Sequence, residues 1–368
     1  MRLLYWSDSW CPAIGGIEVL GAQCLRELQL RGFETLVVTS HRDGELPDEE
    51  DRDGIQVHRF PFQEALQGRR LDLFASALQR VQRLKRSWQP DIVHLNFPSP
   101  SGLFHLRTPE ASAAPLVLAM HTYVPEWDTG ADTLSGKLLR QSAWVTANSA
   151  VTLNVVRAAH REIADRSSIV YNGLRQPGVV PAPLPQDPPV VACIARLVFK
   201  KGIDVAIRAM LSIRKSIPGA RLSIAGDGPM RLELESLASA LGLADYVDFR
   251  GWVAPEKVAA FLNESTVVAV PSRSMEPFGN VAVEAMQMAR PVVATNQGGL
   301  PEVILDGETG FIVDPDDPAA LADRIVKLAG DPALAARMGA AGQARARLHF
   351  DLERCVENYE NLYRRLAG

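Results

Sequence analysis

No stretch of this 368-residue chain approaches the roughly 20 consecutive apolar residues that span a bilayer, which excludes an integral helical membrane protein. Cysteine is scarce. Cys11, Cys24, Cys193 and Cys355 are spaced too widely for a zinc pattern or a Cys-x-x-Cys redox pair, and free thiols in a reducing cytoplasm are expected. Neither sign of charge dominates: a net charge of -4 argues against a general nucleic-acid binder, although it leaves room for a local basic patch. Neither G-x-G-x-x-G nor G-x-x-x-x-G-K-[ST] occurs, so dinucleotide and P-loop readings lose their main support. The acidic stretches 47–53 and 314–317 include no His or Cys and read as exposed turns or helix caps, so neither a metal nor a cofactor is expected. The apolar start, residues 1–6, breaks off at Ser7-Asp8, well short of a signal peptide.

The composition, 47% apolar and 22% charged, is that of a soluble globular enzyme, and the length calls for two cores rather than one. Short apolar runs alternate with longer helical patterns throughout. Strands are expected at residues 2–6, 35–39, 55–60, 91–95, 116–120, 144–147 and 168–171, then at 190–195, 221–225, 246–250, 267–270, 291–294 and 311–313. Several of these runs are apolar on both faces, as in a parallel sheet covered by helices on both sides. The rhythm is that of right-handed βαβ units. Proline crowds residues 176–189, where it removes backbone donors and stiffens the chain. The expected organisation is α/β: a first domain over residues 1–175, a linker over 176–189 and a second domain over 190–349. Both domains are doubly wound parallel sheets, facing each other across a cleft. Ligands of such sheets bind beyond the carboxyl ends of the strands.

The residues that follow strands therefore matter most. Glu276 lies in the loop after the strand 267–270, and Glu284 lies about one turn into the helix that begins near Asn280. Singly, each acid reads as a surface residue. Together, separated by Pro277-Phe278-Gly279 and a helix start, they suit hydroxyls and a phosphate. After the strand 190–195 come Arg196, Lys200 and Lys201, placed to neutralise a diphosphate without a metal; of the two lysines, Lys201 is the expected ligand. Gly226 belongs to a turn that either walls a nucleotide pocket or is a plain turn. Gly251 and Val253 follow the next strand, where backbone groups could meet a base edge; Trp252 between them reads as core. Near the start, Gly15 and Gly16 would let amides approach a phosphate, and His121 ends the fifth strand, where structural and functional readings balance.

This ordered series resembles the retaining glycosyltransferases of family 4 (GT-B fold, two Rossmann-like domains). It runs from Gly15-Gly16-Ile17-Glu18 through His121, Asn172-Gly173, Arg196 with Lys200-Lys201-Gly202, and Gly226-Asp227-Gly228-Pro229 to Glu276-Pro277-Phe278-Gly279-Asn280 and Glu284, and covers nearly the whole chain. The resemblance implies a metal-independent, retaining transfer of a hexose from a UDP- or GDP-sugar to an acceptor hydroxyl. Arg196 and Lys201 would hold the diphosphate with the Gly16 amide, and Glu284 the ribose. Glu276 and the amides of Phe278, Gly279 and Asn280 would hold the donor sugar, with His121 near sugar and acceptor. The final helix, about 350–368, would return to the first domain. One departure is Met288-Ala289-Arg290-Pro291, where the family commonly has a glycine before the proline. The acceptor (a sugar, glycolipid or small molecule) is left open, with the loops around 97–103 and 123–132 expected to read it.

Two other classes compete: a nucleotide-sugar 2-epimerase of the same architecture, and an inactive nucleotide-sugar-binding protein. The amphipathic segment 69–88 carries Arg69, Arg70, Arg80, Arg83, Lys85 and Arg86. It is either a peripheral contact with the inner membrane or a solvated helix face.

Overall fold

A computed structural model describes residues 1–368 except 13–14, 42–45, 123–127 and 129. The chain forms two compact units. One comprises Met1–Gly173 with Leu352–Gly368, the other Leu174–Asp351.

The first unit is built on an eight-stranded sheet. In chain order the strands are β1 (Arg2–Trp6), β2 (Glu34–Ser40), β3 (Glu49–Arg52), β4 (Ile55–Phe60), β5 (Ile92–Asn96), β6 (Leu116–Met120), β7 (Trp144–Ala147) and β8 (Ser167–Ile169). Across the sheet the order is β3-β4-β2-β1-β5-β6-β7-β8, and every pair is parallel except β3 with β4. β5 and β6 are buried along their whole length. Their apolar side chains alternate between two cores, one on each face of the sheet. The last helix, Leu352–Ala367, lies on one of these faces beside Gly16–Leu30, and its Tyr363 hydroxyl meets His94 Nδ1 of β5 at 2.7 Å.

Edge strand β3 corrects the reading of residues 47–53 as an exposed turn or cap. All four of its side chains are charged, three of them acidic, and none is buried, so no apolar alternation marks it. It is held instead by backbone pairing to β4 and by Glu50, which accepts from the buried Arg59 at 2.5 Å.

The second unit has six strands, all parallel: β9 (Val190–Ile194), β10 (Arg221–Ala225), β11 (Val247–Gly251), β12 (Val267–Val270), β13 (Val292–Thr295) and β14 (Gly310–Val313). Their order is β11-β10-β9-β12-β13-β14. Counted from β9, that is 3-2-1-4-5-6, which turns back on itself between β9 and β12. The proline-rich stretch is fastened to this unit: the Arg290 guanidinium donates to Ala182 O at 2.8 Å, Ala182 N donates to Asn263 Oδ1 at 3.0 Å, and Thr266 Oγ1 donates to Pro185 O at 2.5 Å.

Candidate functional site

At the point where the strand order reverses, the loops after β9 and β12 leave the sheet side by side. A doubly wound sheet opens its ligand crevice there, because the two loops run to opposite faces. The first loop carries Arg196, which is exposed, and then the short 3-10 turn Phe199–Lys201. Gly202 ends that turn at φ +64 and starts the helix Ile203–Ser216. A Cβ on Gly202 would stand 2.0 Å from Pro271 O, so only glycine lets the two loops approach this closely.

The second loop brings Glu276 to Lys201. Lys201 Nζ lies 2.5 Å from Glu276 Oε2, which also accepts from Ser272 Oγ at 3.2 Å. The Glu276 carbonyl accepts from Gly299 N at 2.7 Å, fixing the loop from a third side. Phe278 is buried, and Gly279 at φ +105 begins the helix Asn280–Gln287 with no side-chain cap. A helix N-terminus of this kind suits an anion or an oxygen-rich ligand, because first-turn N–H groups lie outside the intrahelical ladder.

Glu284 is the fifth residue of this helix. It is only partly exposed, and burial pushes its carboxyl up to about 7, with no cation to offset the effect. Gly226, at the end of β10, approaches so near that a Cβ would lie 1.8 Å from Ala195 O, while its N–H donates to Gly251 O at 2.7 Å. The turns after β9, β10 and β11 are thereby stitched together. Gly251 ends β11 at φ +69, and Val253 beyond it is half-buried. Trp252 is 59% exposed, which corrects its reading as core. The cause is topological: β11 is the sheet edge, and Gly251 turns the chain outward there.

The structure thus gathers Arg196, Lys201, Gly226, Gly251, Val253, Glu276, Phe278, Gly279, Asn280 and Glu284 on the carboxyl-end loops of one unit and on the helix that follows them. Reading by residue type missed Arg273. Its guanidinium makes a bidentate pair with Asp204 and also pairs with Asp316. No spacing rule links residues 204, 273 and 316, so only the fold reveals the contact.

In the first unit, Gly15 precedes the helix Gly16–Leu30 with an extended backbone. The Glu18 carboxylate folds back over this start, with Oε2 2.2 Å from where a Gly15 Cβ would be. His121 follows β6. Burial pushes its imidazole down to about 4, a contact with the Asn172 side chain pulls the other way, and Nδ1 is buried without a partner. Residues 123–127 and 129, within one of the expected acceptor loops, lie outside the described residues, as do 13–14 beside Gly15. The other loop, after β5, is tied down by Ser99 Oγ donating to Asp8 Oδ1 at 2.9 Å.

On the amphipathic helix Leu71–Trp88, the cations do not form one free face. Lys85 is buried and donates to Thr108 Oγ1 at 2.9 Å, whereas Arg80 pairs with Asp48 at 2.9 Å. Among the described residues, no helix is long and apolar enough to cross a membrane.

Comparison with known proteins agrees with this architecture. Residues 14–176 match the family model for Glycosyltransferase Family 4, and residues 180–345 match that for Glycosyl transferases group 1. The D-inositol 3-phosphate glycosyltransferase of Streptomyces scabiei is 30% identical over 376 aligned positions, which cover 90% of this chain and 82% of that one. The GDP-mannose-dependent alpha-(1-6)-phosphatidylinositol monomannoside mannosyltransferase of Mycolicibacterium smegmatis is 40% identical over 163 residues. That match spans 43% of each chain, less than half the relative's length. Among solved structures, Anabaena HepE in complex with UDP and glucose shares the fold with a TM-score of 0.73 at 23% identity, over 98% of this chain and 99% of that one. The chain belongs to glycosyltransferase family 4 and has the GT-B fold.

Proposed function

We propose that this chain moves a hexose from a UDP- or GDP-sugar to an acceptor hydroxyl, with retention of configuration and without a metal. The observation that carries the reading is the Lys201–Glu276 pair at the β9/β12 reversal, flanked by Arg196 and by the uncapped helix leading to Glu284. Arg196 and Lys201 stabilise the negative charge that builds on the departing diphosphate, aided by the Gly16 amide. Glu276 and the amides of Phe278, Gly279 and Asn280 accept from and donate to the sugar hydroxyls. Glu284 takes the ribose diol, and the backbone at Gly226, Gly251 and Val253 borders the base. His121 serves the sugar and the acceptor.

No carboxylate is assigned as a covalent nucleophile. The acceptor attacks on the face from which the diphosphate leaves, and the leaving phosphate oxygen takes its proton. Positioning and charge stabilisation then supply the rate. Two relatives support two donor bases: the mycobacterial mannosyltransferase is GDP-mannose-dependent, and HepE was solved with UDP. An inositol phosphate or a phosphatidylinositol mannoside is the corresponding acceptor class, and the cytoplasm is the assigned compartment.

Thermal-shift titration with GDP-mannose, UDP-glucose and ADP-glucose identifies the base. With the stabilising donor, Lys201→Ala should lose about 100- to 1000-fold in turnover, the cost of removing one charge-matched donor. Undiminished turnover would refute the assignment. Isomerised sugar nucleotide formed without any acceptor would favour the 2-epimerase, and binding without hydrolysis or transfer would favour an inactive sugar-nucleotide binder.

A further inference from the structure

We infer that Arg273 is a positioning residue for the transfer reaction: it clamps the loop carrying Lys201 to the loop carrying Glu276. The inference rests on the roles proposed for those two residues. Arg273 precedes Glu276 by three positions in the loop after β12, and its side chain is only 13% exposed. Its N–H donates to Lys200 O at 2.9 Å, so its backbone already holds the Phe199–Lys201 turn. Its side chain grips the same turn again. Nη1 donates to Phe199 O at 3.2 Å, and the guanidinium lies over the Phe199 ring at 4.4 Å. Nη1 and Nη2 reach Asp204 Oδ1 and Oδ2, each at 2.5 Å, on the first turn of the helix Ile203–Ser216. Nε donates to Asp316, beyond β14.

This accounting separates Arg273 from the phosphate ligands. A guanidinium has five N–H donors in a fixed fork. Here the protein engages all three nitrogens, and two carboxylates neutralise the charge. Arg273 acts through other residues rather than on a ligand.

The clamp is needed because Lys201–Glu276, the other side-chain tie between these two loops, is itself part of the proposed ligand site. A diphosphate that competes for Lys201, or a sugar that competes for Glu276, loosens that tie as it binds. The Arg273–Asp204 pair is independent of the ligand and holds the loop spacing while the first pair opens. The close approach of Gly202 to Pro271 leaves no slack, so losing the clamp should displace Lys201 and Glu276 together.

The test measures release of nucleoside diphosphate from GDP-mannose or UDP-glucose, whichever the wild-type chain turns over. Arg273→Ala should lower kcat about 10- to 100-fold, the scale of an ångström-sized misplacement. The donor KM should move much less, because the lost contacts act in the transition state. In a Lys201→Ala background the same substitution should cost clearly less than in the wild type, since one of its two targets is gone and only the displacement of Glu276 remains. Asp204→Asn, which keeps the shape of the partner, should reproduce the kcat loss in weaker form if Arg273→Ala proves unstable. The inference is overturned if Lys201→Ala is crippled while Arg273→Ala and Asp204→Asn turn over normally. It is equally overturned if the Arg273→Ala loss persists undiminished in the Lys201→Ala background. Normal turnover by Lys201→Ala would be a different failure: it would sink the assignment of Lys201, and this inference with it.

Discussion

Glu284 is where one residue's chemistry and the stability of the fold pull against each other. Its helix buries Ala282, Val283, Ala285, Met286 and Gln287, and burial pushes the Glu284 carboxyl up to about 7 from its ordinary 4.5. Below about pH 4.5 the group is neutral in both the folded and the unfolded chain and costs nothing. Between 4.5 and 7 the unfolded chain ionises first, so stability falls as pH rises; above 7 the full penalty remains. At about 1.4 kcal/mol per pKa unit, the rise from 4.5 to about 7 corresponds to a penalty on the order of 3–4 kcal/mol, and less where solvent reaches the carboxyl. Glu284→Gln should therefore raise Tm at pH 8 and leave it nearly unchanged at pH 4, while weakening nucleotide binding. Equal melting of both proteins at pH 8 would contradict the assignment of a desolvated, unpaired carboxyl. The sequence alone marked residue 284 by its distance from Glu276 across a helix start. It could not mark Arg273, because a guanidinium that meets carboxylates 69 positions back and 43 ahead leaves no local pattern.

At the scale of an element, the helix Leu71–Trp88 separates what periodicity encodes from what it does not. Apolar spacing was enough to locate the helix. The fate of its cations depends on partners far along the chain: Thr108 and His105 O receive Lys85, Asp48 receives Arg80, and Arg70 turns to its neighbour Asp72. Desolvation pushes the Lys85 ammonium down to about 7, so it is a core group rather than part of a basic face. Of the helix's own cations, Arg83 and Arg86 are left on the exposed face. Each cation near an anionic surface contributes about 1 kcal/mol, too little in total for stable docking through this helix. Vesicles rich in phosphatidylserine should therefore retain little protein in co-sedimentation at 150 mM salt. Retention that is strong at low salt and lost with Arg83→Ala and Arg86→Ala would restore the membrane reading. The edge strand β3 makes the same point in reverse, since its acidic residues are strand by pairing and not by pattern.

For the whole molecule, strand–helix alternation was legible because parallel strands must be apolar on both faces and their crossovers must be helical. The strand order was not legible in the same way, because pairing partners are chosen by packing after the elements exist. Nor could periodicity show that the first unit is discontinuous, closed by residues 352–368 after the chain has formed the second. The last helix places Leu352, Cys355, Val356, Tyr359, Leu362 and Tyr363 in the core beside Leu25, Leu28 and Val37. It also holds Arg31 through Glu360 at 2.7 Å. Burying apolar side chains at about 1.5–3 kcal/mol each gives a contribution on the order of 10 kcal/mol, comparable with the net stability of a domain. The two units should therefore respond oppositely to dissection. Residues 174–351, which contain a complete six-stranded sheet and its core, should melt cooperatively as an isolated fragment. The chain shortened to residues 1–351 should keep that transition and lose amide-exchange protection in β1 and β5, the strands beneath the missing helix. Protection of β1 and β5 at full-length levels in the shortened chain would mean that the first unit is stable without its last helix, and the energetic role given to residues 352–368 would fall.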